Sequence, residues 1–289
     1  MMTTDVKKIC LDKLNFWLTN AWPRRRLSKW MGHISHIQTP RLTSLAIWIW
    51  NRFDPLELAD SPAQRYTSIH ECFTRPIRPE TRPIDGRACV LTSPCDGLLG
   101  AHGHVSDSEL FQVKGKPYGL EELVGDLPDI HPWREGYFVT LRIKSSMYHR
   151  FHAPANGCLM QARYFTGDAW NVNQPALHHV DRLYVKNERA CLNFRLNSHE
   201  ELALVPVAAI LVAGIRVHAL SNEPWVGAQA SLSVEPPVVY SKGQEMGWFE
   251  HGSTIVMIAP RRYRLTEGLN AGDRLRMGQA LLVDEQASA

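Results

Sequence analysis

From about residue 88 onward the chain is written in short apolar and β-branched runs, at 137–143, 158–165, 190–196, 204–217, 253–258 and 279–283, broken by Gly, Pro, Asn and Asp. Such runs suit a pleated, half-buried surface, and the turn residues between them punctuate strands. They predict an α+β fold whose core is β-rich, largely antiparallel and hybrid-barrel-like, with a few helices. An internal echo agrees: Ser93-Pro-Cys-Asp-Gly-Leu-Leu99 and Ala153-Pro-Ala-Asn-Gly-Cys-Leu159 are both Pro-x-[Asp/Asn]-Gly turns placed to deliver the chain into a strand.

Ahead of this core the pattern differs. The Pro-rich stretch Thr74-Arg-Pro-Ile-Arg-Pro-Glu-Thr-Arg-Pro83 favours extended backbone and marks a boundary, giving a helical region 1–73 and a β-rich domain 74–289. Three amphipathic helices are predicted before it. Their apolar stripes are Val6, Cys10, Leu14, Trp17 and Leu18; then Leu27, Trp30, Met31 and Ile34; then Leu42, Leu45, Ala46, Ile49 and Phe53. Residues 1–53 hold nine Lys or Arg against two Asp, a balance of +7, so with a total of +3 the remainder carries −4. Five of the nine tryptophans (17, 22, 30, 48 and 50) sit among those basic residues. Basic charge with indole is the composition of a helix lying in a bilayer interface, so contact with an anionic membrane surface is expected. A helical cap packed on the main domain is the plainer alternative. Nucleic acid is not expected as a partner, since no further motif accompanies the charge.

Charged residues at 5, 7, 8, 12 and 13 interrupt any signal-peptide core, and no apolar run reaches 18 residues, which predicts a peripheral protein on the cytoplasmic side. The six cysteines include no Cys-x-x-Cys pair, so neither a zinc ribbon nor a disulfide scaffold is indicated.

Three places could carry chemistry. In Glu250-His-Gly-Ser-Thr-Ile-Val-Met257 a Gly-Ser pair opens an apolar run. A glycine leaves the scissile carbonyl unshielded and tolerates strained backbone, as an N-to-O acyl shift requires. Ser253 Oγ would attack the Gly252 carbonyl. Elimination would then free the Gly252 carboxylate, and hydrolysis with loss of ammonia would leave a pyruvoyl group at 253. Without a Gly-x-Ser-x-Gly pattern a hydrolase elbow is unsupported, and taken alone Gly-Ser-Thr is a common turn. Tyr148-His-Arg-Phe-His-Ala-Pro154 offers His149 and His152 as bases; no carboxylate or Cys-x-x-Cys spacing completes a metal site there, and none is predicted. Asp96, at a turn tip between Pro94 and Gly97, could orient an imidazole or serve only its own turn. Together they amount to a nucleophile, a base and an orienting acid.

Several ordered motifs resemble those of the phosphatidylserine decarboxylases: Phe73-Thr-Arg-Pro-Ile-Arg-Pro79, Arg82-Pro-Ile-Asp85, Ser93-Pro-Cys-Asp-Gly97, Lys114-Gly-Lys-Pro-Tyr118, Tyr148-His-Arg-Phe-His-Ala-Pro154, Asn187-Glu-Arg189 and Lys242-Gly-Gln-Glu-Met-Gly247 running into Gly252-Ser-Thr254. The resemblance implies cleavage between Gly252 and Ser253 by a triad of Asp96, His152 and Ser253. That gives a β chain 1–252 and an α chain 253–289, which stay associated. It also implies a covalent pyruvoyl cofactor from Ser253, a Schiff base with phosphatidylserine, release of CO2 to give phosphatidylethanolamine, and a role for His149 in decarboxylation. A homodimer is left open. His251 stands where many relatives have Leu, and is expected to be tolerated rather than catalytic. Two other readings are a pyruvoyl-dependent decarboxylase of a soluble amino acid, which has no use for a basic Trp-rich N-terminus, and a non-catalytic β-barrel binding module.

Overall fold

The strand Ser253–Ala259 is buried along its whole length and reads Ser-Thr-Ile-Val-Met-Ile-Ala, with no polar alternation after its first two residues. A strand covered on both faces needs no alternation. In the computed structural model, which describes residues 24–113, 116–125, 130–209, 214–220, 230–250 and 253–287, this strand lies inside an eight-stranded sheet. The order is Ala230–Tyr240, Gly157–Phe165, Arg189–Leu196, Glu201–Ala208, Ser253–Ala259, Tyr137–Ile143, Gly97–His104 and Arg274–Leu275. Every neighbouring pair is antiparallel.

Alternate residues of the central strand enter two cores. Ile255 and Met257 pack with Leu141, Leu204, Phe151 and Phe249, beneath the small sheet formed by Ile215–Val217, Glu245–Phe249 and Arg150–His152. Val256 and Ile258 pack with Phe138, Val205, Trp133 and Leu183, the last two from the short helices His131–Arg134 and Leu183–Lys186. The α+β, largely antiparallel fold expected from the sequence is present.

Two expectations change. The hybrid-barrel-like closure is absent among the described residues: the large sheet is open, with Ala230–Tyr240 and Arg274–Leu275 at its edges. The run 204–217 is not one strand. Glu201–Ala208 pairs in the large sheet, whereas Ile215–Val217, after Gly214 at φ +136°, pairs with Gly247–Phe249 in the small one. The chain must change sheets there, and a glycine in that region of backbone space permits it. Both Pro-x-[Asp/Asn]-Gly turns do open strands, Gly97–His104 and Gly157–Phe165.

Of the predicted helices, the one with the stripe from Val6 to Leu18 lies outside the described residues. The other two are Arg24–Ser35 and Pro40–Phe53, the latter opened by Pro40 in its first turn. Pro40–Phe53 is held by Thr43, whose buried hydroxyl donates to the Thr67 carbonyl at 3.1 Å, and by Trp50, stacked on Phe73 with centroids 6.0 Å apart. Its predicted apolar stripe points outward instead: Leu42, Leu45, Ile49 and Phe53 are exposed, together with Trp48 and the nearby Trp30 and Ile37. No described helix is long and apolar enough to cross a membrane.

Candidate active site

Ser253 is the first residue of the central strand, flanked in register by Ile143 and Ala208. It is fully buried, and its hydroxyl has no hydrogen-bond partner among the described residues. A buried hydroxyl without a partner costs about 1–3 kcal/mol, and Thr254 Oγ1 beside it is in the same position. Ser253 lines a cavity of about 540 Å3 shared with Trp50, Phe73, Arg142, Ile143 and Lys144. The preceding Gly252 and His251 lie outside the described residues. The chain reaches them from the small sheet, where Phe249 N donates to the His149 carbonyl at 2.9 Å and Glu250 N to that of Gly214 at 3.1 Å.

His149 sits just before Arg150–His152, fully buried. Its Nδ1 lies 2.8 Å from the Met147 carbonyl, which assigns the proton to Nδ1 and the lone pair to Nε2. Its ring lies 3.9 Å from that of Phe73, which in turn meets Trp50 and lines the Ser253 cavity. Phe73 ends the helix Ile69–Phe73, whose Ser68 cap accepts from Glu71 N at 3.1 Å. The buried Arg75 then pins this helix to the histidine loop, donating to the carbonyls of Cys72 (2.9 Å), Ser146 (3.1 Å) and Met147 (3.3 Å). An aromatic line thus runs from Pro40–Phe53 to His149.

His152 closes the same short strand. Its Nδ1 donates to the Gly243 carbonyl at 2.9 Å and its Nε2 accepts from the Tyr148 hydroxyl at 2.9 Å, so the imidazole is neutral at Nε2, with that lone pair engaged by Tyr148 and not by Ser253. Burial lowers its proton affinity; the Gly243 bond and the charges of Glu245 and Asp96 act the other way without cancelling it. The Tyr148 hydroxyl is itself held well above the usual phenol range by burial, so it stays a donor.

Asp96 is fully buried and takes a different partner from the one its role as an orienting acid suggests. Its oxygens accept from Arg82 Nε at 2.9 and 3.2 Å, Arg82 Nη2 at 2.5 Å and Met277 N at 2.8 Å. Asp96 and His152 are not hydrogen-bonded to each other; they are linked through the backbone, His152 N donating to the Pro94 carbonyl at 2.8 Å. Arg82 also reaches Asp60 at 2.7 Å, and although burial opposes its charge, the bonds to Asp96 and Asp60 raise its proton affinity above the ordinary value.

Arg82 and Tyr148 stand inside the sequence motifs without a role that the motifs reveal, and nothing local marks Phe73 as a cavity residue; Arg142 stands outside every motif. Arg142 is half-buried, has no hydrogen-bond or ion-pair partner among the described residues, and lines both the Ser253 cavity and a larger one of about 760 Å3 behind it. None of Asp96, His149, His152 or Ser253 lines that larger space. A charged residue within an otherwise apolar run, Phe-Val-Thr-Leu-Arg-Ile143, was the available signal.

A family model for phosphatidylserine decarboxylase matches residues 69–283. The phosphatidylserine decarboxylase proenzyme of Shewanella putrefaciens is 34% identical over 282 residues, 93% of this chain and 97% of that protein. Those of Brevibacillus brevis and Erwinia tasmaniensis are each 31% identical, over 91% and 94% of this chain and 95% and 94% of their own lengths. The matched span contains the serine strand, both histidines and Asp96. The chain belongs to the phosphatidylserine decarboxylase family of carboxy-lyases.

Proposed function

We propose that this chain is a proenzyme that cuts itself between Gly252 and Ser253, and that the processed form decarboxylates phosphatidylserine to phosphatidylethanolamine at a peripheral, cytoplasmic-side membrane site. The observation that carries the reading is the buried, unpartnered Ser253 hydroxyl, placed at the mouth of a central strand on the wall of a cavity. The relatives' names as proenzymes support it.

In the cut, His152 Nε2 is the base: once the Tyr148 hydroxyl that occupies its lone pair turns aside, Nε2 takes the Ser253 proton as Oγ attacks the Gly252 carbonyl, and returns it to the Ser253 nitrogen as the amide bond breaks. Tyr148 and the Gly243 carbonyl keep the imidazole in the required tautomer. Asp96 acts on His152 by charge rather than by a hydrogen bond, favouring the imidazolium that forms. Arg82 and Met277 N hold that charge in place. After the cut, residue 253 is suited to a pyruvoyl group: it becomes a chain terminus beside a cavity, and no described side chain competes for its position. When present, that ketone supplies an electron sink for the carbon that loses CO2.

The chain's own residues do the rest. His149, beside the Phe73 wall, must first take a proton from solvent at Nε2; as the imidazolium it orients the departing carboxylate and then gives that proton to the carbon left behind, a role worth about 10²–10⁴-fold. Arg142 and Lys144 offer cations for the headgroup phosphate. Trp50, from the helix whose outer face is apolar, and Met31 line the same cavity, so a lipid held at that surface has a short path in.

The test is conversion of phosphatidylserine in anionic vesicles by processed protein, with free serine as the competing substrate. Release of CO2 from the lipid alone supports the proposal. Equal turnover of free serine contradicts the lipid assignment, and turnover of neither contradicts both.

A further inference from the structure

Outside the cavity, three side chains far apart in sequence converge: His36, just after Arg24–Ser35; His70, in Ile69–Phe73; and Glu250, three residues before Ser253. One ligand atom from each lies within 4.8 Å of the other two. Nothing in the chemistry described above uses them. We infer that His36, His70 and Glu250 form a binding site for a divalent transition metal of the zinc class, clipping the N-terminal helices to the segment that leads into the cut.

The donor set is the first argument. Two imidazoles and a carboxylate are a common protein complement for zinc, leaving a fourth position for water. The surroundings are the second. A ligating histidine almost always gives its other ring N–H to a carbonyl or carboxylate, which fixes the tautomer and presents a lone pair to the metal. His36 does so: its Nδ1 lies 2.8 Å from the Gly32 carbonyl, leaving Nε2 as the lone pair. Glu250 is oriented in the same sense, Oε1 accepting from Arg216 Nε at 3.1 Å and leaving its second oxygen available. His70 supplies the third argument: its Nδ1 is buried with no partner among the described residues, although the neighbouring imidazole lies against it at 3.9 Å between centroids and 23° between planes. A fold that buries an imidazole nitrogen beside a second imidazole and a carboxylate leaves that nitrogen a natural role as a ligand.

Tetrahedral zinc places its donors about 3.3 Å apart, from bonds of about 2.0–2.1 Å. The three donor atoms lie within 4.8 Å of one another, and because the two rings are stacked, closing on one ion requires the exposed His36 to turn its ring out of that stack while the partly covered Glu250 follows. The ion would join a helical segment, the helix that carries Phe73, and the approach to residue 253. This inference is independent of the decarboxylation reading, since it needs only the folded chain.

The experiment uses untagged full-length protein stripped with a chelator, titrated with Zn2+ by calorimetry and separately with Co2+ in the visible range. One equivalent of zinc should bind, with the intense visible bands of four-coordinate cobalt and no thiolate charge-transfer absorption. His36→Gln and His70→Gln should each weaken binding about 100-fold or more, and Glu250→Gln at least about 10-fold. His36 is exposed, so its variant should keep the parent far-ultraviolet circular dichroism and lose only the metal. No binding at micromolar zinc, binding unchanged in His36→Gln, or a cobalt–thiolate band placing the ion on cysteine would each overturn the assignment.

Discussion

In the proposed mechanism Ser253, His152 and His149 divide the work, and single substitutions separate them. Ser253→Ala and His152→Ala should stay full length on a denaturing gel. His149→Ala should be cut normally and lose about 10²–10⁴-fold in decarboxylation; equal loss of cutting in all three would overturn the division. The pH dependence has a definite sign. Burial lowers His152 from 6.5, so as pH falls through that value the unfolded chain takes up a proton that the folded chain does not. The contribution of this residue to stability is intact above about 6.5 and is lost as pH falls below it. The base is likewise present to a lower pH than a free imidazole, so the cutting rate should hold its plateau through pH 6.5 and fall only below it. A rate that falls with rising pH across this range would contradict the role of Nε2. Arg82 offers a third check. Arg82→Met leaves the Asp96 carboxylate buried with Met277 N as its remaining donor, at a cost of about 3–5 kcal/mol. Thermal unfolding should register that loss, and an unchanged melting temperature would mean that the pair carries little.

At the scale of the element, the helix Pro40–Phe53 shows why a pattern and its use are separate facts. The period of Leu42, Leu45, Ile49 and Phe53 locates the helix, and its docking through Thr43 and Trp50 leaves that stripe outside. Phe53 is 85% exposed and Trp48 67%, with Arg41 and Arg52 exposed beside them. An apolar face rimmed by cations marks an interaction surface, and here it supports the membrane proposal. Burying such side chains is worth about 1.5–3 kcal/mol each. Trp48→Ser with Phe53→Ser should therefore lower flotation with anionic vesicles by about 10-fold or more while cutting proceeds normally; unchanged flotation would move the membrane contact elsewhere. The small sheet gives a different prediction. A Cβ at Gly247 would stand 1.9 Å from the Arg216 carbonyl oxygen and 2.7 Å from the Phe151 ring. Gly247→Ala should disturb the strand that leads to residue 253, slowing cutting and lowering the melting temperature.

Across the whole molecule, what could be read from the sequence follows from how far apart the interacting residues are. Ser253–Ala259 and Tyr137–Ile143 were legible because burial on both faces writes itself as a continuous apolar run. Ser253 and both histidines stand in local motifs that the sequence displays, which is why they could be proposed for the site before any fold was known. The Arg82–Asp96 pair was not, because its two ends lie in irregular connectors without period. The convergence of His36, His70 and Glu250 depends on tertiary packing that no local spacing encodes. Closure of the large sheet was expected wrongly for a related reason: strand-length runs say how many strands form, not whether the two edges meet. The central claim concerns the bond between Gly252 and Ser253, and the intact mass of the purified protein under denaturing conditions tests it most directly. The account predicts two chains, residues 1–252 and 253–289, the smaller lighter by one ammonia than a chain beginning with serine. A single full-length mass, or a cut that leaves serine at 253, would contradict it.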